Sequence, residues 1–353
     1  MILKDSDCKV IVEKVLSFSS ADEVRVNLSG GRSGNTRFAL NSVTTSGDED
    51  TLRVYVTSYF GKRHAAASGT EIDDTSLMKI VRTAEESARF SPEDPEYVPE
   101  LGPQEYLPID PFAKSTARAT PGLRVRGARS AIRPSIRDGL VAAGFFEHDD
   151  SFSAVSNNRE LFAYSRGTSA SFSVTVRSPD GTGSGWGRDN SRDIREVDYR
   201  AVSKKAIHKA GSSREPQTLE PGVYPVILEP QAVADFIRFA GFSMNARHAD
   251  EGRSFFSKPG GGNKIGEKVA GENVTIRSDP THPELLGTPF SGDGLPAKMN
   301  VWIQNGILKQ LFYGRYWAQS RARNQQDSLQ ISFLRGGMRR WTTSSAKQTG
   351  LSW

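Results

Sequence analysis

The chain has 353 residues, of which 36% are hydrophobic and 25% charged, enough for a sizeable core and two or three domains. That composition excludes a mini-protein or a wholly disordered chain. The formal charge is +5 and the pI about 9.2, which raises a nucleic-acid partner as a question. The location of the charge matters more: seven basic residues and one acidic, Asp327, fall between Gly314 and Trp353, so the rest of the chain is close to neutral. A single cysteine, Cys8, excludes an intramolecular disulfide and an all-thiolate metal site, and makes a reducing, cytoplasmic location the default expectation. The first seven residues are too polar for a signal peptide, and no run of about 18 apolar residues suggests a membrane span.

In chain order, Val24 to Leu28, Thr36 to Thr45 and Leu52 to Phe60 are rich in β-branched and aromatic residues and predict strands, with turns at Gly30-Gly31 and Ser46-Gly47-Asp48. Asp73 or Asp74 caps a helix whose apolar stripe is Leu77, Ile80, Val81, Ala84 and Ala88. Residues 92–111 carry six prolines and several carboxylates, the composition of a linker. Lys114 to Arg137 has seven positive and no negative side chains, and Pro121 and Pro134 are expected to divide it into short helices. Strands follow at Val141 to Phe146, Leu161 to Tyr164 and Phe172 to Val176, then a helix at Asp198 to Ala210. Val223 to Leu228 reads as a strand, and Pro230 opens a helix with Val233, Phe236, Ile237 and Ala240 as its buried stripe. Asn305-Gly306 between apolar runs predicts a hairpin over residues 301–308.

These elements predict an α+β protein: domain 1–98 with strands and helix, a linker at 99–112, a strand-rich middle domain at 113–215, and a C-terminal domain at 222–353. No catalytic motif stands out. The five histidines lie far apart, and neither HExxH, a CxxC pair nor a nucleophile elbow is present. His248, Asp250 and Glu251 suit acid/base work or a hard cation, although a polar loop after a helix is the plainer reading. Glycines 260–262 do not continue into a phosphate loop and suit a tight turn. The basic stretch 114–137 lacks interleaved aromatic residues and reads first as a solvated helix face.

Longer stretches nevertheless resemble a family. Ala249-Asp250-Glu251-Gly252-Arg253-Ser254-Phe255-Phe256-Ser257-Lys258-Pro259-Gly260-Gly261-Gly262, Ile265-Gly266-Glu267-Lys268-Val269, Gly292-Asp293-Gly294-Leu295-Pro296 and Asn300 to Lys309 are similar to the TldD/PmbA family, also called the modulator of DNA gyrase or TldD/TldE metalloprotease family. The likeness runs from about residue 20 to about residue 320. It implies a larger, β-rich C-terminal domain and a zinc-dependent peptidase system that trims unstructured peptides as a dimer enclosing a cavity. In active members a HExxxH motif on the first helix of the C-terminal domain, with a later cysteine, binds zinc. The matching segment here is Pro230 to Asp235, with Pro230 and Asp235 at ligand positions and Gln231 at the general-base position. Proline has no donor and glutamine is no base.

The resemblance therefore points to the PmbA/TldE branch, a subunit with no metal or cofactor of its own, paired with a zinc-binding TldD-like subunit or with itself. Asp250, Glu251, Arg253, Gly260, Gly261, Gly262 and Asp293 are the expected peptide-binding residues. The alternative is an autonomous homodimer that binds peptides or, through residues 114–137, nucleic acid. Beyond residue 320 the likeness fades, so an incomplete or frame-shifted C-terminal domain is expected.

Overall fold

The structure, a computed structural model, describes residues 2–321. They form two compact units, residues 2–226 with 281–297, and residues 227–280 with 298–321. Those expectations that concern the final thirty-two residues lie outside the described part of the chain.

The first unit opens with a helix that the sequence reading passed over, α1 (Asp5–Phe18), whose buried residues Cys8, Ile11, Val12 and Val15 follow helical spacing. Burial, followed by nearby Asp7 and Asp5, pushes the Cys8 thiol up to about 12, so it stays protonated and unreactive. Next come β1 (Glu23–Ala39), β2 (Ser42–Phe60) and β3 (Arg63–Gly69). The turn between β1 and β2 is Leu40-Asn41, both at positive φ (49° and 60°), as a two-residue hairpin loop requires. Ser46-Gly47-Asp48, expected as a turn, lies within β2 opposite Thr36 to Gly34, because cross-strand pairing outweighs local turn preference.

Helix α2 (Asp74–Phe90) matches its prediction: the Asp73 carboxylate accepts the Ser76 N–H at 3.0 Å, and the buried stripe is the expected one. After α3 (Lys114–Ala117), α4 (Pro121–Arg137) is one helix rather than two. Pro121 stands at its first turn, where the missing N–H would have had no partner in the helix, and Pro134 lies in its last turn, so the ladder bond it removes has only that turn beyond it. The unit continues through β4 (Val141–Asn157), β5 (Phe162–Arg177), β6 (Ser184–Ser191) and α5 (Tyr199–Ser212).

All six strands form one antiparallel sheet in the order β3-β2-β1-β4-β5-β6. The pairing of β1 with β4 joins the expected first and middle domains into a single unit, so residues 99–112 are not a boundary. They are strapped to the sheet: buried Glu100 pairs with Arg25 at 2.8 Å, the Asn157 amide donates to the Leu101 carbonyl at 2.7 Å, and the Thr168 N–H donates to the Pro111 carbonyl at 3.0 Å. Prolines forbid a regular element here, yet their carbonyls still accept hydrogen bonds.

The alternation of the strands places Val24, Val26, Leu28 and Phe38 of β1 on one face with Ala142, Phe146, Phe152 and Ala154 of β4. Helices α1 and α2 cover one part of that face, and α4 and α5 the other. The second packing is very close. A Cβ at Gly185 would come within 2.0 Å of the Ala206 carbonyl oxygen, a backbone atom that cannot swing aside.

Arg124 pins α4 to the sheet from a fully buried position, pairing with Asp48 at 2.8 Å and reaching Thr36 Oγ1 and His148 Nδ1, both at 3.3 Å. Burial, and then the adjacent Arg124, hold the His148 pKa below its usual 6.5.

In the second unit, β7 (Ile276–Ser278), β8 (Asn300–Gln304) and β9 (Ile307–Leu308) form a small antiparallel sheet. The predicted hairpin is present, with Asn305 and Gly306 at φ 50° and 78°. Trp302 anchors the core with Met244, Phe256, Leu308 and Leu311, its indole N–H donating to Ser278 Oγ at 3.1 Å. Residues 223–228 form no strand. The helix from Pro230 (Pro230–Ser243), α6 here, buries none of its residues. A stripe becomes a core face only when a surface packs over it, and none does so among the described residues.

Two measurements test this packing. Gly185→Ala is expected to lower stability by about 1–3 kcal/mol through overpacking, seen as a lower urea midpoint. For His148, the folded pKa is the depressed one. Its contribution is therefore complete above about pH 6.5 and is lost as pH falls through the lower folded value; His148→Gln should flatten that acid limb in unfolding titrations.

Candidate functional site

The loop region of the second unit holds six of the seven residues that the sequence singled out, all but Asp293. Asn245 accepts the His248 N–H at 3.1 Å and starts the short helix α7 (Ala246–Asp250). Where that helix ends, Asp250 and Glu251 diverge into separate environments.

The Asp250 carboxylate is almost enclosed. One oxygen accepts the Asn263 side-chain amide at 2.6 Å, the other accepts the Trp317 indole N–H at 2.9 Å, and Arg321 stands 4.0 Å away. Trp317 belongs to α8 (Arg315–Ser320), and the Arg247 and Arg321 guanidiniums lie over its ring at 5.4 and 4.7 Å. Glu251 instead accepts from Arg247 Nε at 2.9 Å and from Arg253 Nε at 3.1 Å. These bonds, with Arg247 the larger influence, hold its carboxyl below the usual carboxylate range.

Acid/base work at this site does not follow. Glu251 is kept ionised between two arginines, and the two Asp250 oxygens are occupied by the Asn263 and Trp317 N–H groups. What the pair builds is a rigid polar frame.

The glycine run closes the frame. Gly260, Gly261 and Gly262 all have positive φ, at 84°, 111° and 79°, a path that side-chain-bearing residues rarely follow. A Cβ at any of the three would meet nothing, so backbone conformation rather than crowding demands glycine. The loop is clamped at its base, where the Lys258 N–H donates to the Gly262 carbonyl at 2.9 Å and Lys258 pairs with Glu267 at 2.8 Å. Within the loop the Gly261 N–H also donates to the Lys258 carbonyl at 3.2 Å, and all three glycines are exposed.

Asp293, the remaining candidate, belongs to the first unit. Its carboxylate accepts from Ser291 Oγ and, at 3.4 Å, from the Leu295 N–H. The same turn is tied down by the Tyr106 hydroxyl donating to the Gly294 carbonyl at 2.9 Å. Burial and then Asp293 push the Tyr106 phenol up to about 12. Asn263, Trp317, Arg247 and Arg321 were not singled out in the sequence, and only the position of Asn263 directly after the glycines hinted at a role.

Residues 221–329 match the family model for the PmbA/TldA metallopeptidase C-terminal domain. Over that stretch the chain is similar to TldD/PmbA proteins. It is 31% identical over 99 residues to an Archaeoglobus fulgidus metalloprotease, covering 28% of this chain and 22% of that protein. To a metalloprotease TldD homolog of Buchnera aphidicola it is 32% identical over 124 residues, or 35% of this chain and 24% of the relative. The aligned stretches thus span about a quarter of these curated relatives. Two solved structures share the fold: TldE from Thermococcus kodakarensis (TM-score 0.78, 19% identity, 91% of this chain and 75% of that one) and a Thermotoga maritima protein described as a modulator of a DNA gyrase (0.80, 17%, 91% and 74%).

Zinc is the metal that this family implies, and the residues at the expected positions do not fit it. Pro230 offers no donor atom, Gln231 is neutral, and the Asp235 carboxylate pairs with Arg238 at 3.0 Å.

Asp250→Ala would leave the Asn263 amide and the Trp317 indole N–H without their acceptor. A loss of about 1–3 kcal/mol is expected, read from denaturant unfolding, together with a change in Trp317 fluorescence.

Proposed function

We propose that this chain is the metal-free, TldE-like subunit of a TldD-type metallopeptidase and supplies part of its peptide-binding surface. One observation carries the reading: the helix of the TldD/PmbA-type domain that should present the zinc ligands begins Pro230-Gln231 and ends the motif in an ion-paired Asp235. The frame of Asp250, Glu251 and Arg253 around the 260–262 loop supports the second half of the proposal. Its carboxylates are fixed rather than reactive, and its exposed backbone suits capture of an extended peptide by main-chain hydrogen bonds. Zinc and hydrolytic chemistry would come from a partner subunit bearing HExxxH.

Elemental analysis and a peptidase assay test this together. The purified chain should carry far less than one zinc per molecule and cleave no unstructured peptide, with activity appearing on addition of a zinc-binding TldD-type subunit. Stoichiometric zinc with peptidase activity in the chain alone would overturn the proposal.

A further inference from the structure

The sequence reads residues 114–137 as an ordinary solvated helix. The fold places a second basic helix beside it. Arg126, Arg129, Arg133 and Arg137 recur every three or four residues along α4 and are all exposed, forming a ridge about 16 Å long at 1.5 Å per residue. Helix α5 packs alongside and presents exposed Arg200, Lys204 and His208 at four-residue spacing. Between the helices runs a groove of about 540 Å³ lined by apolar Pro134 and Ile207 together with Arg137, Arg200, Lys204 and His208, with Asp138 as its one carboxylate.

Asp138 is already committed to Arg137, at 2.8 Å. Arg126, Arg129, Arg133 and Lys204 make no ion pair among the described residues. Like charges at i,i+3 and i,i+4 destabilise a helix, so two adjacent ridges of this kind work against the fold in the absence of an anion.

The chemistry of the surface selects among polyanions. Arginine dominates α4, and its planar fork matches phosphate oxygens in pairs. The groove has no exposed aromatic ring for stacking unpaired bases, since Tyr199 is half-buried against Phe146 and Phe172. Nor does it offer the desolvated aromatic anchor on which a protein interface usually depends. We propose that the α4–α5 face binds the phosphate backbone of double-stranded nucleic acid without reading sequence. This site lies wholly in the first unit and requires no metal, no peptidase activity and no partner subunit, so its failure would leave the subunit proposal untouched.

Fluorescence anisotropy of a labelled duplex of about 20 bp, titrated with the full chain across a salt series, tests the site. Neutralising about five phosphates predicts a slope of roughly −4.5 in log affinity against log salt. The triple variant Arg129→Glu, Arg133→Glu, Lys204→Glu should bind at least ~10-fold more weakly with a melting temperature no lower than that of the unaltered chain; should it fail to fold, the three glutamine replacements should reduce the slope by roughly three. A slope near zero, wild-type binding by a folded triple variant, or equally tight binding of single-stranded DNA or polyglutamate would each overturn the proposal.

Discussion

The double pairing of β1 is the constraint on which the first unit depends. Along its seventeen residues it bonds to β2 on one side and to β4 on the other. The first contact is a local hairpin. The second joins Arg25 to Asn157 and Phe38 to Gly144, across more than a hundred residues of intervening chain. Closing so long a loop costs entropy that must be offset by many contacts forming together. The buried face supplies them: one side of β1 and β4 carries both helix pairs, so a single-residue slip would turn Val24, Val26 and Leu28 toward the opposite face and Phe38 away from Phe172. Arg124 adds a polar lock where only glycine fits, since a Cβ at Gly34 would lie 2.3 Å from its guanidinium.

That non-local pairing also explains which parts of the fold were legible. Helix α2, the helix expected at Asp198 to Ala210 and the Asn305-Gly306 hairpin depend on signals within a few residues, and each was readable. The 99–112 segment was misread as a linker because its hydrogen-bond partners, including Arg25, Asn157 and Thr168, lie far away in sequence. Helix α6 failed in the opposite sense. Its apolar spacing was real, but spacing states only which side would be buried, and Phe236, Phe239 and Phe242 remain about two-thirds exposed or more. Helix α1 carried an adequate stripe in Cys8, Ile11, Val12 and Val15 and was legible from its periodicity alone.

The candidate site shows the same division. Ordered motifs picked out Asp250, Glu251, Arg253 and the glycines, but residue type alone suggested acid/base chemistry. The partners decide otherwise: Asn263 lies thirteen residues beyond Asp250 and Trp317 sixty-seven, and both supply neutral N–H groups that occupy rather than activate the carboxylate. The nearer partners, Arg247 and Arg253, were within four residues of Glu251 and visible in principle, because an acid flanked by two arginines is more readily held ionised than tuned to exchange a proton.

Charge illustrates why a sum conceals what a fold arranges. Outside the basic last forty residues the chain is nearly neutral by sequence, which by itself argues against a polyanion surface. Folding sorts that neutrality. Carboxylates are drawn into pairs with particular arginines, as Glu100 is with Arg25, Asp150 with Arg166 and Asp48 with Arg124. Among the described residues, the exposed ridge of α4 and the adjoining turns of α5 receive no such partners for Arg126, Arg129, Arg133 or Lys204. Local potential follows this segregation rather than the total, because at physiological salt a charge is felt over only about 8 Å, less than the length of either ridge.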